Sequence, residues 1–403
     1  MKPFRWLQAI GPGFVVAATG LGAGDLVAAT VSGAKLGTAI LWAVVLGALT
    51  KLVLNEGLVR WQLATDSSLM EGWREHLPRW VDWYFGVYLV LWSFLVGAAL
   101  MAACGLAGHA LFPVLSVGAW AAVHSLAALV LVMIGRYRFF EVVMKAMIAL
   151  MFITVVGAVL VADLSGLAIV RPLLVPVFPR DNLALVLGVM GGIGGSVTLL
   201  CYGYWMHEKG WRSVNFLRLA RVDLGVAYSL TAVFGVCIMI LAARAQPETV
   251  SGTRIVLALA EQLGADLGEG FRWVFLLGFW GAVFSSMLGV WQGVPYLFAD
   301  FVGQRQHLGP DGPEMDRKGP AYRGFLIGLA VLPLALLGFG KPVWLVILYS
   351  VAGAFFMPFL ALTLLYLNNR RIGMPLRNGR FANGVLVVAL ALFAALAVQK
   401  LLE

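Results

Sequence analysis

The sequence predicts an all-α integral membrane protein with about eleven membrane-spanning helices. Of its 403 residues, 61% are hydrophobic and only 12% are charged, and the mean hydropathy is +0.90. Because a soluble domain has about 25% charged residues, this composition excludes an ordinary soluble enzyme, a disordered protein and a nucleic-acid-binding module. The second observation is that apolar runs long enough to cross a bilayer follow one another with short loops between them.

Each apolar run predicts one membrane helix. The runs lie at about 10–31, 39–64, 83–107, 117–134, 139–163, 183–206, 220–244, 271–301, 322–338, 342–368 and 381–401. Together they predict a single transmembrane domain over residues 1–403. The three cysteines lie inside these runs and are predicted to be small buried hydrophobes, and no signal peptide is expected.

Loop charges predict the orientation of the chain. About 16 lysine and arginine residues lie in loops on the side of the N-terminus and about 7 on the opposite side. Since cytoplasmic loops carry the excess of positive charge, we expect a cytoplasmic N-terminus and an external C-terminus. The expected location is a bacterial inner (plasma) membrane, where a monomer surrounded by lipid is sufficient and neither a cofactor nor a nucleic acid is needed.

The first and sixth runs differ from the others because glycines interrupt them. The clusters are Gly20–Gly24 and Gly191–Gly195. Each glycine costs about 1 kcal/mol relative to alanine in a helix interior, so both helices are predicted to break near the middle of the bilayer. The alternative interpretation is close helix packing through small residues, which is common in membranes.

The positions of the two breaks predict an inverted repeat. The broken helices are five spans apart, so they enter the membrane from opposite sides. Such a pair is typical of inverted-repeat transporters, in which backbone groups freed at the midplane form the substrate site. We predict a first repeat at about 10–163, a second at about 183–368 and an extra helix at about 381–401.

Asp25 is the strongest candidate for an ion-binding residue. It follows the first break, and an ionisable residue inside a membrane is functional by default. It could also cap the second half of the helix, where a carboxylate accepts backbone N–H groups. Hard oxygen ligands suit Mg²⁺, Ca²⁺, Mn²⁺ or Na⁺. An all-oxygen substrate or ion site, with Asp25 as the metal ligand, would be completed at Thr19, Gly22, Gly195, Ser196 and Thr198.

Two further residues are candidate gate or coupling groups. Glu56 lies in the second run, where it could equally pair with Arg60. His124 is well inside the fourth run, although a lone buried histidine is more often a packing residue than a proton relay. The sequence contains no HExxH, Walker loop or GxSxG motif in a suitable context. It therefore predicts neither an enzyme nor an ATP-driven pump.

An ordered set of motifs covers most of the chain. The motifs are Ile10-Gly-Pro-Gly-Phe-Val-Val-Ala-Ala, Gly33-Ala-Lys-Leu-Gly-Thr-Ala-Ile-Leu-Trp42, Gly135-Arg-Tyr-Arg-Phe-Phe-Glu141, Ser285-Ser-Met-Leu-Gly-Val-Trp-Gln-Gly293, Ala299-Asp-Phe301, Met357-Pro-Phe359, Asn369-Arg-Arg371 and Arg377-Asn-Gly-Arg380. This set resembles the Nramp (natural resistance-associated macrophage protein) family of divalent-metal transporters. The resemblance implies a LeuT-like fold with a divalent metal ion as the substrate.

The residues that match the family's metal site differ from its usual motifs. Asp-Pro-Gly-Asn in helix 1 of the family corresponds to Gly22-Ala-Gly-Asp25 here, and Met-Pro-His in helix 6 corresponds to Ser196-Val-Thr198. The glutamine of helix 10 aligns with Ser350, which becomes a third gate or coupling candidate. Phe94–Gly105 carries none of the acidic residues thought to relay protons. The resemblance thus implies a divergent branch with less preference for transition metals and weakened or absent proton coupling.

Three functional hypotheses follow. The first is a secondary transporter of an Mg²⁺- or Mn²⁺-type cation that works by alternating access. The second keeps the fold but transports a small organic solute such as an amino acid or amine, whose carboxylate the half-helix N-termini could hold. The third is a receptor or regulatory subunit that transports nothing.

Overall fold

The computed structural model describes residues 11–179, 182–246, 254–305, 319–337 and 342–402. Its eleven main helical segments correspond to the eleven predicted runs. They are α1 (Pro12–Gly20 and Ala23–Leu36), α2 (Leu41–Thr65), α3 (Arg79–Leu111), α4 (Val117–Ile134), α5 (Tyr137–Val161), α6 (Leu183–Gly192 and Cys201–Glu208), α7 (Leu217–Ala245), α8 (Glu269–Arg305), α9 (Pro320–Val331), α10 (Pro342–Arg370) and α11 (Arg380–Leu402). The two halves of α1 and α6 are called α1a, α1b, α6a and α6b.

Most of these segments have the length and hydropathy of membrane spans. Within the described ranges, eight helices are long and apolar enough to cross a membrane, and the bent α1 adds a ninth when its halves count as one span. Side chains on α4 and α5 remain exposed although they are apolar: Ile134 is 79% exposed and Leu160 is 80% exposed. Such surfaces are stable when lipid rather than water surrounds them.

Shorter helices connect the main segments. They are Leu69–His76, Val170–Leu174, Arg254–Leu267 and Leu334–Leu337. The first begins with a capping box, in which the Ser68 hydroxyl accepts from the Glu71 N–H and the Glu71 carboxylate accepts from the Ser68 N–H. Burial raises the pKa of Glu71 above its ordinary value.

The helix Arg254–Leu267 lies where the sequence analysis identified no helix. Its buried face consists of Ile255, Val256, Leu259, Ala260 and Leu263, which recur at the three- and four-residue spacing of an amphipathic helix. It packs mainly against α8. The helix is too short for a membrane span, and its outer face is polar. A search for long apolar runs therefore does not predict it.

The two broken helices lie at the centre of the bundle. The first half, α1a, packs against α5, α7 and α8, and α1b packs chiefly against α7. In turn, α6a packs against α1b, α2 and α10. Irregular backbone in a membrane must be covered by protein or line a cavity, and here the residues at both breaks are buried among the other helices.

Candidate functional site

The break in α1 is held by two serines of α8. The two halves of α1 meet at an angle of 52°, which frees carbonyl oxygens at the end of α1a. The Ser286 hydroxyl donates to the Thr19 carbonyl at 2.6 Å. The Ser285 hydroxyl lies within hydrogen-bond distance of two carbonyls, that of Ala18 at 3.1 Å and that of Ala282 in its own helix at 3.0 Å. Sequence reasoning gave these serines no role at the break. The available signal was a pair of adjacent hydroxyls in the middle of an apolar run.

Two glycines with left-handed backbone produce the break in α6. After α6a ends at Gly192, Gly194 and Gly195 have φ angles of +85° and +82°, which only glycine adopts at low cost. A 3₁₀ turn at Val197–Leu200 then leads into α6b. The prediction that glycines interrupt this helix is confirmed.

The two breaks are in direct backbone contact. A Cβ atom placed on Gly20 would lie 2.7 Å from the Gly194 carbonyl carbon and 3.0 Å from the Gly195 nitrogen. Because these neighbours are main-chain atoms, they cannot move aside as a flexible side chain would. Glycine at position 20 therefore allows the close approach of α1 and α6 on which the site depends.

We predict that Gly20→Ala separates the two breaks and reduces transport by more than tenfold. The matched control is Gly188→Ala in α6a, where an added Cβ meets nothing within 4 Å. Alanine there should be neutral or slightly stabilising, since it favours the helix. Initial transport rates of both variants in proteoliposomes test this. Equal rates in the two variants would show that the contact between the breaks is not needed for function.

Asp25 links the two breaks. It lies in the first turn of α1b, whose N-cap is Gly22 and has no side-chain capping bond. Instead of capping its own helix, Asp25 accepts a hydrogen bond on Oδ2 from the Gly194 N–H at 2.9 Å. The side chain is 3% exposed, and its other oxygen, Oδ1, is buried without a hydrogen-bond partner. An unpaired buried carboxylate oxygen is costly, so Oδ1 is a position at which a cation would be stabilised.

The hydroxyl candidates differ in their availability. Thr19 donates to the Val15 carbonyl of its own helix at 2.6 Å. Ser196 and Thr198 lie on the unwound part of α6, and each is 5% exposed. The Ser196 hydroxyl lies 2.9 Å from the Cβ position of Gly353 on α10. Ser196 and Thr198 are therefore placed on the central segment, whereas the Thr19 hydroxyl is used locally.

The two candidate glycines serve close packing. A Cβ atom on Gly22 would clash with the Ser286 hydroxyl, and one on Gly195 would lie 2.5 Å from the Thr198 hydroxyl and 3.5 Å from the Gly20 Cα. Their contribution to a site is thus the space that a side chain would otherwise fill. Within the described residues, no group of three or more His, Cys, Asp or Glu side chains is arranged to hold a metal ion.

Lys51 on α2 reaches the break of α6 with its side chain. It was not predicted as a site residue. Its side chain is fully buried, and Nζ donates to the carbonyls of Gly191 at 3.0 Å, Ile193 at 2.8 Å and Gly195. The available signal was a lysine in the middle of an apolar run. A lysine near a helix end can extend its ammonium to the membrane surface, but Lys51 is ten residues from the start of α2.

The gate and coupling candidates lie in separate environments. Glu56 is bound by Arg60 at 2.8 Å and by Arg221 of α7 at 2.8 Å. His124 accepts on Nε2 from the indole N–H of Trp280 at 2.9 Å, while its Nδ1 bonds to the Trp120 carbonyl at 2.7 Å. These bonds require a neutral imidazole with the proton on Nδ1. Ser350 lies within α10, and its side chain is outside the described residues.

Asp223 of α7 joins three helices at the end of the bundle where α1a begins. The carboxylate is fully buried and accepts from the N–H groups of Gly11 at 3.1 Å and Gly13 at 2.6 Å. It also accepts from the Tyr202 hydroxyl of α6b at 2.8 Å. Close by, Glu141 of α5 pairs with Lys145 at 2.6 Å and with Lys209 at 2.8 Å. These contacts tie both broken helices to α5 and α7.

Comparison with known proteins identifies the family. The family model described as "Natural resistance-associated macrophage protein-like" (Nramp) matches residues 13–403. The chain belongs to the Nramp family. It is therefore a membrane transporter and not an enzyme, in a family that transports divalent metal ions. No curated protein matches the sequence.

Solved structures that resemble this Nramp chain share its fold. The manganese transporter of Eremococcus coleocola has a TM-score of 0.76 at 15% identity, over 98% of this chain and 87% of that one. MhsT, solved in complex with L-phenylalanine, has a TM-score of 0.63 at 15% identity, over 96% of this chain and 98% of that one. The predicted LeuT-like architecture with breaks in α1 and α6 is confirmed.

Proposed function

We propose that this protein is a secondary transporter of a divalent metal ion of the Mg²⁺ or Mn²⁺ type, with Asp25 as its charged ligand. The observation that carries the proposal is the buried Oδ1 of Asp25, which lacks a hydrogen-bond partner beside two broken helices. A carboxylate in this position is the ligand that hard divalent cations prefer. Family membership supports the same class of substrate.

The remaining ligands of the proposed site are oxygens and water. The carbonyls at the break of α1 accept from Ser285 and Ser286, and those of α6 accept from Lys51. We propose that Ser196 and Thr198 on the central segment of α6, together with water, supply the other oxygen ligands. Because only one ligand carries a charge and no thioether or imidazole takes part, we propose a weak site for a partly hydrated ion, in which Mg²⁺ is no longer excluded.

Weakened or absent proton coupling is part of the proposal. His124 is held as a neutral imidazole by two hydrogen bonds, and Glu56 is neutralised by two arginines. Neither is arranged to pass protons along the transport path. We propose further that the N-terminus faces the cytoplasm of a bacterial inner membrane and that one subunit is sufficient.

A small organic solute, such as an amino acid or amine, is the second candidate substrate. The observation that favours it is Lys51, whose ammonium binds the same segment as Asp25 and offsets its charge. A site with no net charge suits a zwitterion or a monovalent amine better than a divalent ion, since Lys51 repels a metal. L-Phenylalanine, the molecule in complex with MhsT, belongs to this class, so this fold can hold an amino acid.

Ion flux into proteoliposomes tests the proposal. Proteoliposomes that contain the full chain are loaded in parallel with dyes for Mn²⁺, Mg²⁺, Ca²⁺ and H⁺. The melting temperature of the same protein is also measured with each ion and with L-amino acids. We expect saturable Mg²⁺ or Mn²⁺ influx without matching acidification. Stoichiometric acidification would contradict weakened coupling. Stabilisation by amino acids with no divalent flux from folded protein would replace the metal by an organic substrate.

A further inference from the structure

Lys51 binds the break of α6 through all the hydrogens of its side-chain nitrogen. The three acceptors are the main-chain oxygens of Gly191, Ile193 and Gly195, which span five residues at the break. A lysine ammonium has three N–H donors, whereas a neutral amine has two. The three donated bonds therefore require the charged form, and a full positive charge lies in the interior of the bundle.

The three oxygens form a cluster of the kind that holds a bound cation. Carbonyl oxygens of unwound helix coordinate monovalent cations in membrane proteins, because they replace the hydration shell of the ion. Gly194 and Gly195 both have positive φ, and the irregular backbone there brings the carbonyls of Ile193 and Gly195 to the same nitrogen as the Gly191 carbonyl at the end of α6a. The Nζ atom of Lys51 occupies the position among these oxygens that a bound cation would take.

Asp25 supplies the opposite charge at the same segment. Its carboxylate accepts from the Gly194 N–H, and Gly194 lies between two of the residues whose carbonyls bind Lys51. The Lys51 side chain also packs on Gly194, with its Cγ 3.5 Å from the Cβ position of that glycine. The break of α6 is thus held between an ammonium from α2 and a carboxylate from α1b.

We propose that Lys51 is a tethered cation that permanently occupies a monovalent-cation site formed by the carbonyls of Gly191, Ile193 and Gly195. The broken helix is consequently stable without a bound alkali ion, and transport requires neither Na⁺ nor K⁺. This inference does not depend on which substrate the protein carries. It assigns Lys51 as a positioning residue that maintains the shape of the segment facing Asp25.

Melting temperatures of the purified full chain test the inference. Wild type, Lys51→Ala and Lys51→Met are compared in sodium, potassium, ethylammonium and N-methylglucamine chlorides at equal ionic strength. Removing the ammonium leaves three buried carbonyls without a donor, so both variants should melt lower by about 5 °C or more in N-methylglucamine chloride. Ethylammonium, Na⁺ or K⁺ should restore at least half of the loss in Lys51→Ala, which leaves an empty cavity.

Two matched variants show whether recovery comes from this site. Lys51→Met fills the cavity without a charge and should not recover. Lys145→Met removes a lysine that forms an ion pair with Glu141, and its melting should not depend on the cation. Wild-type melting and transport should stay within twofold when N-methylglucamine replaces Na⁺ and K⁺.

Several outcomes would overturn the inference. Folded Lys51→Ala that recovers in none of the three cations would show that the carbonyls do not form a cation site. Lys51→Met as stable as wild type would show that the ammonium is not needed. If neither variant folds, wild type alone still tests the inference. Wild-type transport or stability that specifically requires Na⁺ or K⁺ would contradict it. Failure of divalent flux leaves these melting results unaffected, so the two proposals fail separately.

Discussion

Replacing Asp25 by asparagine should reduce saturable divalent-metal flux by about 100-fold, since the loss of residues that only orient metal ligands already costs about 10–100-fold. Asparagine keeps an oxygen that can accept from the Gly194 N–H but removes the negative charge that binds the ion. The remaining charge near the segment would then be the positive charge of Lys51, which repels a metal. Initial rates of Mg²⁺ and Mn²⁺ uptake by proteoliposomes measure the effect, and size-exclusion profiles confirm folding.

The matched control for this variant is Asp163→Asn, just beyond the C-terminal end of α5. Asp163 is exposed, and the Ser165 N–H donates to its carboxylate at 2.9 Å. Hydrogen bonds from Ser165 lower the pKa of Asp163, so the control also removes a real negative charge. Its flux should equal that of wild type. Asp25→Asn with flux within threefold of the control would remove Asp25 from the proposed ion site.

Replacing Asp223 by alanine should cause the largest loss of stability. The change leaves the N–H groups of Gly11 and Gly13 and the hydroxyl of Tyr202 without their shared acceptor. Each unsatisfied buried group costs about 1–3 kcal/mol, and the favourable charge at the N-terminus of α1a is lost as well. We expect a decrease of about 3 kcal/mol or more in the free energy of unfolding, seen as a fall of several degrees in melting temperature.

The control for Asp223 is Asp266→Ala on the connecting helix Arg254–Leu267. Asp266 is exposed and accepts only from Gln262 at 3.3 Å among the described contacts, so its removal should shift the melting temperature by less than one degree. Asp223→Asn keeps an acceptor and should lie between wild type and alanine. Melting of Asp223→Ala at the temperature of the control would show that the junction of α1a, α6b and α7 contributes little stability.

Local chemistry was sufficient to find Asp25 and the two breaks. A carboxylate within an apolar run and glycines near mid-span are visible without knowledge of neighbours, because their cost in a membrane is intrinsic to the residues. The partner of Asp25 was not accessible in this way. Gly194 lies 169 positions away, and only the packing of α6 on α1b brings its N–H to the carboxylate.

Residues whose partners are distant were misjudged or passed over for the same reason. Lys51 was passed over because the carbonyls that it binds lie 140 or more positions away along the chain. Only helix packing brings them to its side chain. Ser285 and Ser286 were noted only as part of a motif, although they bind the carbonyls of α1. The helix Arg254–Leu267 was absent from the prediction because its apolar side chains form a stripe rather than a run.

The sequence by itself determined that this chain is an all-α membrane protein of eleven helical segments with interrupted first and sixth helices. Hydropathy and glycine content act within one segment, so a linear reading is enough to recognise them. Only the tertiary structure decided which groups meet at the breaks. It directs Asp25 to α6 rather than to its own helix and places the Lys51 ammonium among three carbonyls. Those contacts depend on the packing of helices that are far apart in the chain.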